Sequence, residues 1–166
     1  MNIRIRKAEP GDIEMLVKFL HLLFTIEKDF TLDADKHRAG LHLLLENHYR
    51  GTIFVAETDV MLVGMVTAQI VVSTASGGYS ILLEDMYVAS GFRRIGIGSK
   101  LLKEVLTWGS GYGASRVQLV ADVENTGALM FYRQMGLLTS RMTALYGKLD
   151  AGSLSLFPCG RDRRAK

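Results

Sequence analysis

The stretch GFRRIGIGSKLL, residues 91–102, sets Arg93, Arg94 and a glycine-x-glycine directly ahead of an amphipathic run. A turn of small residues feeding a helix lets backbone N–H groups converge on one point, where the helix dipole adds about half a positive charge. Such a turn suits an anion, and phosphate above all. A Cβ at Gly96 or Gly98 would block the dihedrals or the ligand's approach, and Ser99 adds a hydroxyl donor. Just upstream, ILLEDMYV breaks an apolar run with two consecutive acids, Glu84 and Asp85. Unpaired buried carboxylates are expensive, so this pair calls for partners or for a task. Consecutive strand residues point to opposite faces, which predicts one acid toward a cleft and one away.

The elements that position these residues follow from periodicity. NIRIRK alternates isoleucine with basic residues and predicts a first strand. Ile13, Leu16, Val17, Leu20 and Phe24 recur at helical spacing over about residues 10–25, after Pro10 in the first turn. A second helix starts from Asp33 as N-cap and buries Leu41, Leu44 and Leu45. TIFVAE (52–57), MLVGMVTAQIVV (61–72) and YSILLEDMYV (79–88) predict an antiparallel meander. The glycine turn then leads into a helix with Leu101, Leu102, Val105 and Leu106 on one face, followed by a strand, SRVQLVA (115–121), parallel to its predecessor. TGALMFYRQM predicts a short helix after Asn125, and MTALYGKL (142–149) a last strand. The expected fold is a mixed, mostly antiparallel α/β sheet flanked by helices on both faces, in the order β-α-α-β-β-β-α-β-α-β.

The chain is expected to form one domain over residues 1–150, with 151–166 as an extension ending in a partly disordered basic tail. Four positive charges and one negative sit in the last six residues, RDRRAK, which leaves sixteen of each sign in the body. That balance argues against a nucleic-acid binder, which needs a basic face on the folded domain. One cysteine, Cys159, excludes a disulfide framework and fits a reducing compartment, and no apolar run reaches membrane-spanning length. The expectation is a cytoplasmic protein with no membrane or nucleic-acid partner. His21, His37, His42 and His48 offer no paired metal-ligand spacing, so no metal is expected.

Spacing separates three phosphate-binding turns. A dinucleotide fingerprint needs a glycine where this chain has Leu101, and a Walker loop needs Lys and Ser or Thr where it has Ile97 and Gly98. The pattern [R/Q]-x-x-G-x-[G/A] is met by Arg93, Gly96 and Gly98. With the element order above, and with VENTGALMFYRQMGL downstream, the chain resembles the GNAT superfamily of N-acetyltransferases.

The resemblance implies acetyl-CoA as cofactor, its pyrophosphate held by Arg93, Arg94, Ile95, Gly96, Ile97, Gly98 and Ser99. It implies a bulged strand whose backbone N–H groups at Met86, Tyr87 and Val88 meet the thioester and pantetheine. It also implies Asn125 as a cofactor contact, Tyr132 as a further cofactor contact and the acid that protonates the departing thiolate, and a possible homodimer. The reaction it implies is direct attack of a small primary amine on acetyl-CoA in a ternary complex. A lysine-like amine is only about a thousandth neutral at pH 7, a deficit of roughly 4 to 5 kcal/mol, which a nearby carboxylate relieves. Glu84 is the expected base or ammonium anchor and Asp85 a second contact, while Glu27 and Asp29 could draw a cationic acceptor. The alternatives are acetylation of a protein N-terminus or lysine, and a non-catalytic acetyl-CoA-binding module.

Overall fold

The computed structural model describes residues 2–26, 32–47, 49–145, 147–150 and 153–157. The first strand, β1 (Arg4–Lys7), pairs antiparallel with β2 (Gly51–Glu57), and Arg6 fastens that edge. Its guanidinium donates to Glu57 at 2.7 Å and to both carboxylate oxygens of Asp12 at 2.7 and 3.0 Å. Asp12 ends a short 3₁₀ turn at Pro10–Asp12, whose Pro10 supplies a preset φ, and the chain continues into α1 (Ile13–Ile26). The second helix, α2 (Ala34–Glu46), is capped by Asp33, whose carboxylate accepts from the Lys36 N–H at 3.1 Å.

The predicted meander forms as β2, β3 (Leu62–Ser73) and β4 (Gly78–Val88), each antiparallel to the next. Helix α3 (Ile97–Gly111) then crosses back, and β5 (Ala114–Gln118) lies parallel to β4. The sheet order is β1-β2-β3-β4-β5. Leu16 and Leu20 of α1, Leu41 of α2, and Val55, Met65 and Tyr87 of the strands form one buried cluster on one face. Each such side chain contributes about 1.5–3 kcal/mol by leaving water. The opposite face is covered by α3, which packs so close to β4 that a Cβ at Gly109 would collide with the Ile81 side chain. Glycine is required there by contact alone.

Contacts divide the chain into two compact units, residues 1–129 and 130–166, and the five-stranded sheet lies in the first. The last helix, α4 (Thr126–Gln134), ends before Gly136. The final strand differs in place from the expectation over 142–149. Residues 142–145 carry no regular structure, and Met142 and Leu145 stand about nine-tenths exposed. The strand is instead β6 (Lys148–Asp150), paired antiparallel with β7 (Ser153–Phe157) in a sheet of its own. The alternation in SLSLF, inside the stretch expected as an extension, supplies a partner that apolar count alone did not reveal. Cys159 and the basic tail lie outside the described residues. Among the described residues no helix is long and apolar enough to cross a membrane.

Candidate active site

The register between β3 and β4 breaks once. Val66 pairs with Met86 and Ala68 with Leu83, so Glu84 and Asp85 together oppose the single residue Thr67. This is a β-bulge, and its consequence is a change of face. Ile81 meets α3, whereas Tyr87, also odd-numbered, joins the cluster under α1 and α2 and lies 5.1 Å from the Phe19 ring. Regular alternation cannot place both; the extra residue does. The same switch turns Glu84 and Asp85 toward one side, and both line a cleft of 360 Å³ between α1, α2 and the strands. The expectation that consecutive acids face opposite ways is therefore corrected.

Thr67 closes the bulge from the opposing strand. Its hydroxyl oxygen accepts from the Asp85 N–H at 3.0 Å and its hydrogen goes to the Asp85 carboxylate at 3.0 Å. Burial pushes the Asp85 carboxyl up to about 6; the Thr67 hydrogen bond opposes that rise, and the adjacent Glu84 charge adds to it. Glu84 is exposed and accepts from the Gln69 amide at 3.3 Å. Across the cleft, burial lowers the His37 imidazole, against the pull of Asp33, and its Nδ1 has no partner among the described residues. Thr67, Gln69 and His37 carry no motif. The one available signal was period 2, which sets Thr67 and Gln69 on one face of an otherwise apolar strand.

β4 loses its second neighbour halfway along. Pairing with β5 runs from Tyr79 to Leu82 and stops where β5 ends at Gln118, so from Leu83 on β4 has β3 as its one strand neighbour among the described residues. The Ala89 N–H donates to the Val63 carbonyl at 2.9 Å, so alternation aims the Tyr87 N–H at β3 and that of Val88 away from it. Of the three residues named for backbone contacts, Tyr87 turns its N–H to β3 and its ring into the core. Arg93 folds back to this edge, donating from Nε to the Val88 carbonyl at 2.8 Å and standing 5.7 Å over the Tyr87 ring.

The glycine turn follows. Arg94 has φ 63° and Gly96 φ 85°, two left-handed residues that reverse the chain within three positions. The first helical N–H groups, at Ile97, Gly98 and Ser99, find no partner within the helix, and no side chain caps this terminus. Ile97 buries its side chain while Ile95 and both arginines stay exposed. Uncapped amides, two adjacent guanidinium groups and a helix dipole fit a pyrophosphate such as that of CoA.

Asn125 accepts the Ala128 N–H on its Oδ1 at 3.1 Å, so its carbonyl caps α4 and its NH₂ is the group able to donate to a ligand. Tyr132 lies on the last turn of α4, edge-on to Phe131 at 5.2 Å, and its carbonyl accepts from Leu137 at 2.9 Å. Glu27 and Asp29 lie outside the described residues. Asp33 and Asp35 are engaged by Lys36 and Arg38.

A model of the GNAT acetyltransferase family matches residues 18–137. The chain belongs to the GNAT family. GNAT enzymes take the acetyl group from acetyl-CoA, and this one is an acetyl-CoA-dependent N-acetyltransferase. Solved structures share the fold. The aminoglycoside acetyltransferase AAC(6')-Iy, in complex with a bisubstrate analogue of CoA and acetylneamine, is 21% identical with a TM-score of 0.77, over 90% of this chain and 100% of that one. The aminoglycoside acetyltransferase meta-AAC0020 from an uncultured soil metagenomic sample is 23% identical with a TM-score of 0.71, over 89% and 97%. A transcriptional regulator from Bacillus halodurans C-125 is 22% identical with a TM-score of 0.76, over 89% and 100%. No curated protein sequence matches significantly.

Proposed function

We propose that this GNAT enzyme acetylates a small primary amine by direct attack within a ternary complex. The observation that carries the reading is the bulge that turns Glu84 and Asp85 into one cleft beside the stretch of β4 that β5 does not cover. Glu84, exposed at the cleft, holds the ammonium group. Asp85 takes its proton: a carboxylate raised to about 6 is a stronger base than an ordinary one and is still ionised at neutral pH. The amine nitrogen then forms its bond to the acetyl carbon as the C–S bond breaks. The Val88 N–H polarises the carbonyl, and the likeness to the GNAT family assigns protonation of the leaving sulfur to Tyr132. The aminoglycoside enzymes of this fold, one bound to a CoA–acetylneamine analogue, support an amine acceptor.

The test is twofold. Gly96→Val forces a β-branched residue to φ 85°, and calorimetry should then show acetyl-CoA affinity falling at least tenfold. Tyr132→Phe should lower kcat while leaving acetyl-CoA affinity unchanged. Unaltered CoA binding in the first variant removes the pyrophosphate assignment, and an unaltered rate in the second removes the tyrosine.

A further inference from the structure

The cleft that receives Glu84 and Asp85 is chemically lopsided. Its β4 end carries both acids, and among the described lining residues there are no others. The opposite wall, from α1 and α2, is mostly apolar, with Leu20, Phe24, Leu41, Leu43 and Leu44 and with Asn47 at the end of α2. His37 joins that wall with its ring 5.1 Å from Phe24, and burial favours its uncharged imidazole. Lys36, the one lysine among the described lining residues, is paired with Asp33 at 3.1 Å. At 360 Å³ the cleft lies at the small end of the range, roughly 300–1,000 Å³, of ligand pockets.

These features bear on which amine enters. A polyamine or aminoglycoside would set one ammonium between the acids and the others against leucines or beside Lys36. Unpaired charges pressed against apolar surface are costly, and a like charge repels. A molecule with one amine and an apolar body meets no such cost, and its body covers the leucine wall. We infer that the acceptor is a single-headed primary amine with an apolar body, its ammonium between Glu84 and Asp85 and its body on the Leu20–Phe24–Leu41–Leu43–Leu44 wall. This rests on the N-acetyltransferase reading above. The transfer exchanges the acetyl C–S bond for C–N, one proton passing from the amine to carboxylate and one reaching the sulfur.

The experiment compares 2-phenylethylamine and hexylamine with spermidine and kanamycin as acceptors, following CoA release with a thiol reagent and acetylated product by mass. For the single-headed amines kcat/KM should be at least tenfold higher. Leu43 stands at the rim, 68% exposed, so Leu43→Glu should fold normally. That variant should raise KM for phenylethylamine about tenfold and bring the ratio to spermidine near one. Equal or faster acetylation of spermidine or kanamycin overturns the substrate class and leaves the N-acetyltransferase intact. A ratio unmoved in Leu43→Glu overturns the assignment of the wall. No acetylation of any of the four overturns this inference and the reading beneath it.

Discussion

The two halves of β4 differ in how many neighbours they have. From Tyr79 to Leu82 the strand is paired on both sides, with β3 and β5, and Ile81 presses on α3 where only a glycine leaves room. From Leu83 to Val88 it keeps β3 alone, carries the bulge, and turns two carboxylates into a cleft. The first half spends its hydrogen-bonding groups on the sheet. The second turns the N–H of Val88 away from β3, toward the edge that β5 leaves uncovered. One strand thus serves as scaffold along half its length and as binding surface along the other.

Substitutions in each half should separate these roles. The largest effect belongs to Asp85→Asn, which removes the proposed base and should lower kcat by a hundredfold or more, the common magnitude for such a group. In the native enzyme kcat/KM should climb with pH through about 6 as Asp85 ionises, and the variant should lack that limb. The same change should stabilise the fold at neutral pH. Folding raises the Asp85 pKa, so its contribution is fully present below the ordinary carboxylate range and is lost as pH rises through about 6. Two units amount to about 3 kcal/mol, or several degrees in Tm. Melts at pH 4 and pH 8 should show the variant's advantage only at the higher pH; an equal gap at both would exclude burial as the cause.

In the sealed half, Gly109→Ala pushes a methyl into Ile81 and should cost about 1–3 kcal/mol of stability, read as a lower Tm. Turnover by the folded enzyme should stay within about twofold, because nothing in the opening moves. The smallest effect is expected from Glu84→Gln, which keeps shape and removes charge. KM for the amine should rise about tenfold, near 1.4 kcal/mol, with kcat less affected. A fall in kcat alone would exchange the proposed roles of the two acids.

Much of the fold was legible because its signals are local. Helical spacing located α1, α2 and α3, the change to β-branched runs located the meander, and the glycine turn with its arginines stood out by spacing. Asp33 as a cap was readable because the residue bonds its own helix. The last strand was misplaced because pairing decides it: β6 forms where β7 gives it a partner, not where MTALYGKL looks apolar. Period 2 could set Thr67 on a face, but its role depends on the register of another strand.

The sequence by itself determined which residues could do chemistry: two adjacent acids, a glycine turn entering a helix, and a tyrosine after a second motif. Those are matters of residue type and short spacing. Only the tertiary structure decided where the acids point. A strand read alone obeys period 2 and sends Glu84 and Asp85 apart; set against Thr67 of β3, it takes up one residue too many and sends them together. A bulge is a property of two strands in register, and no single stretch of sequence contains it.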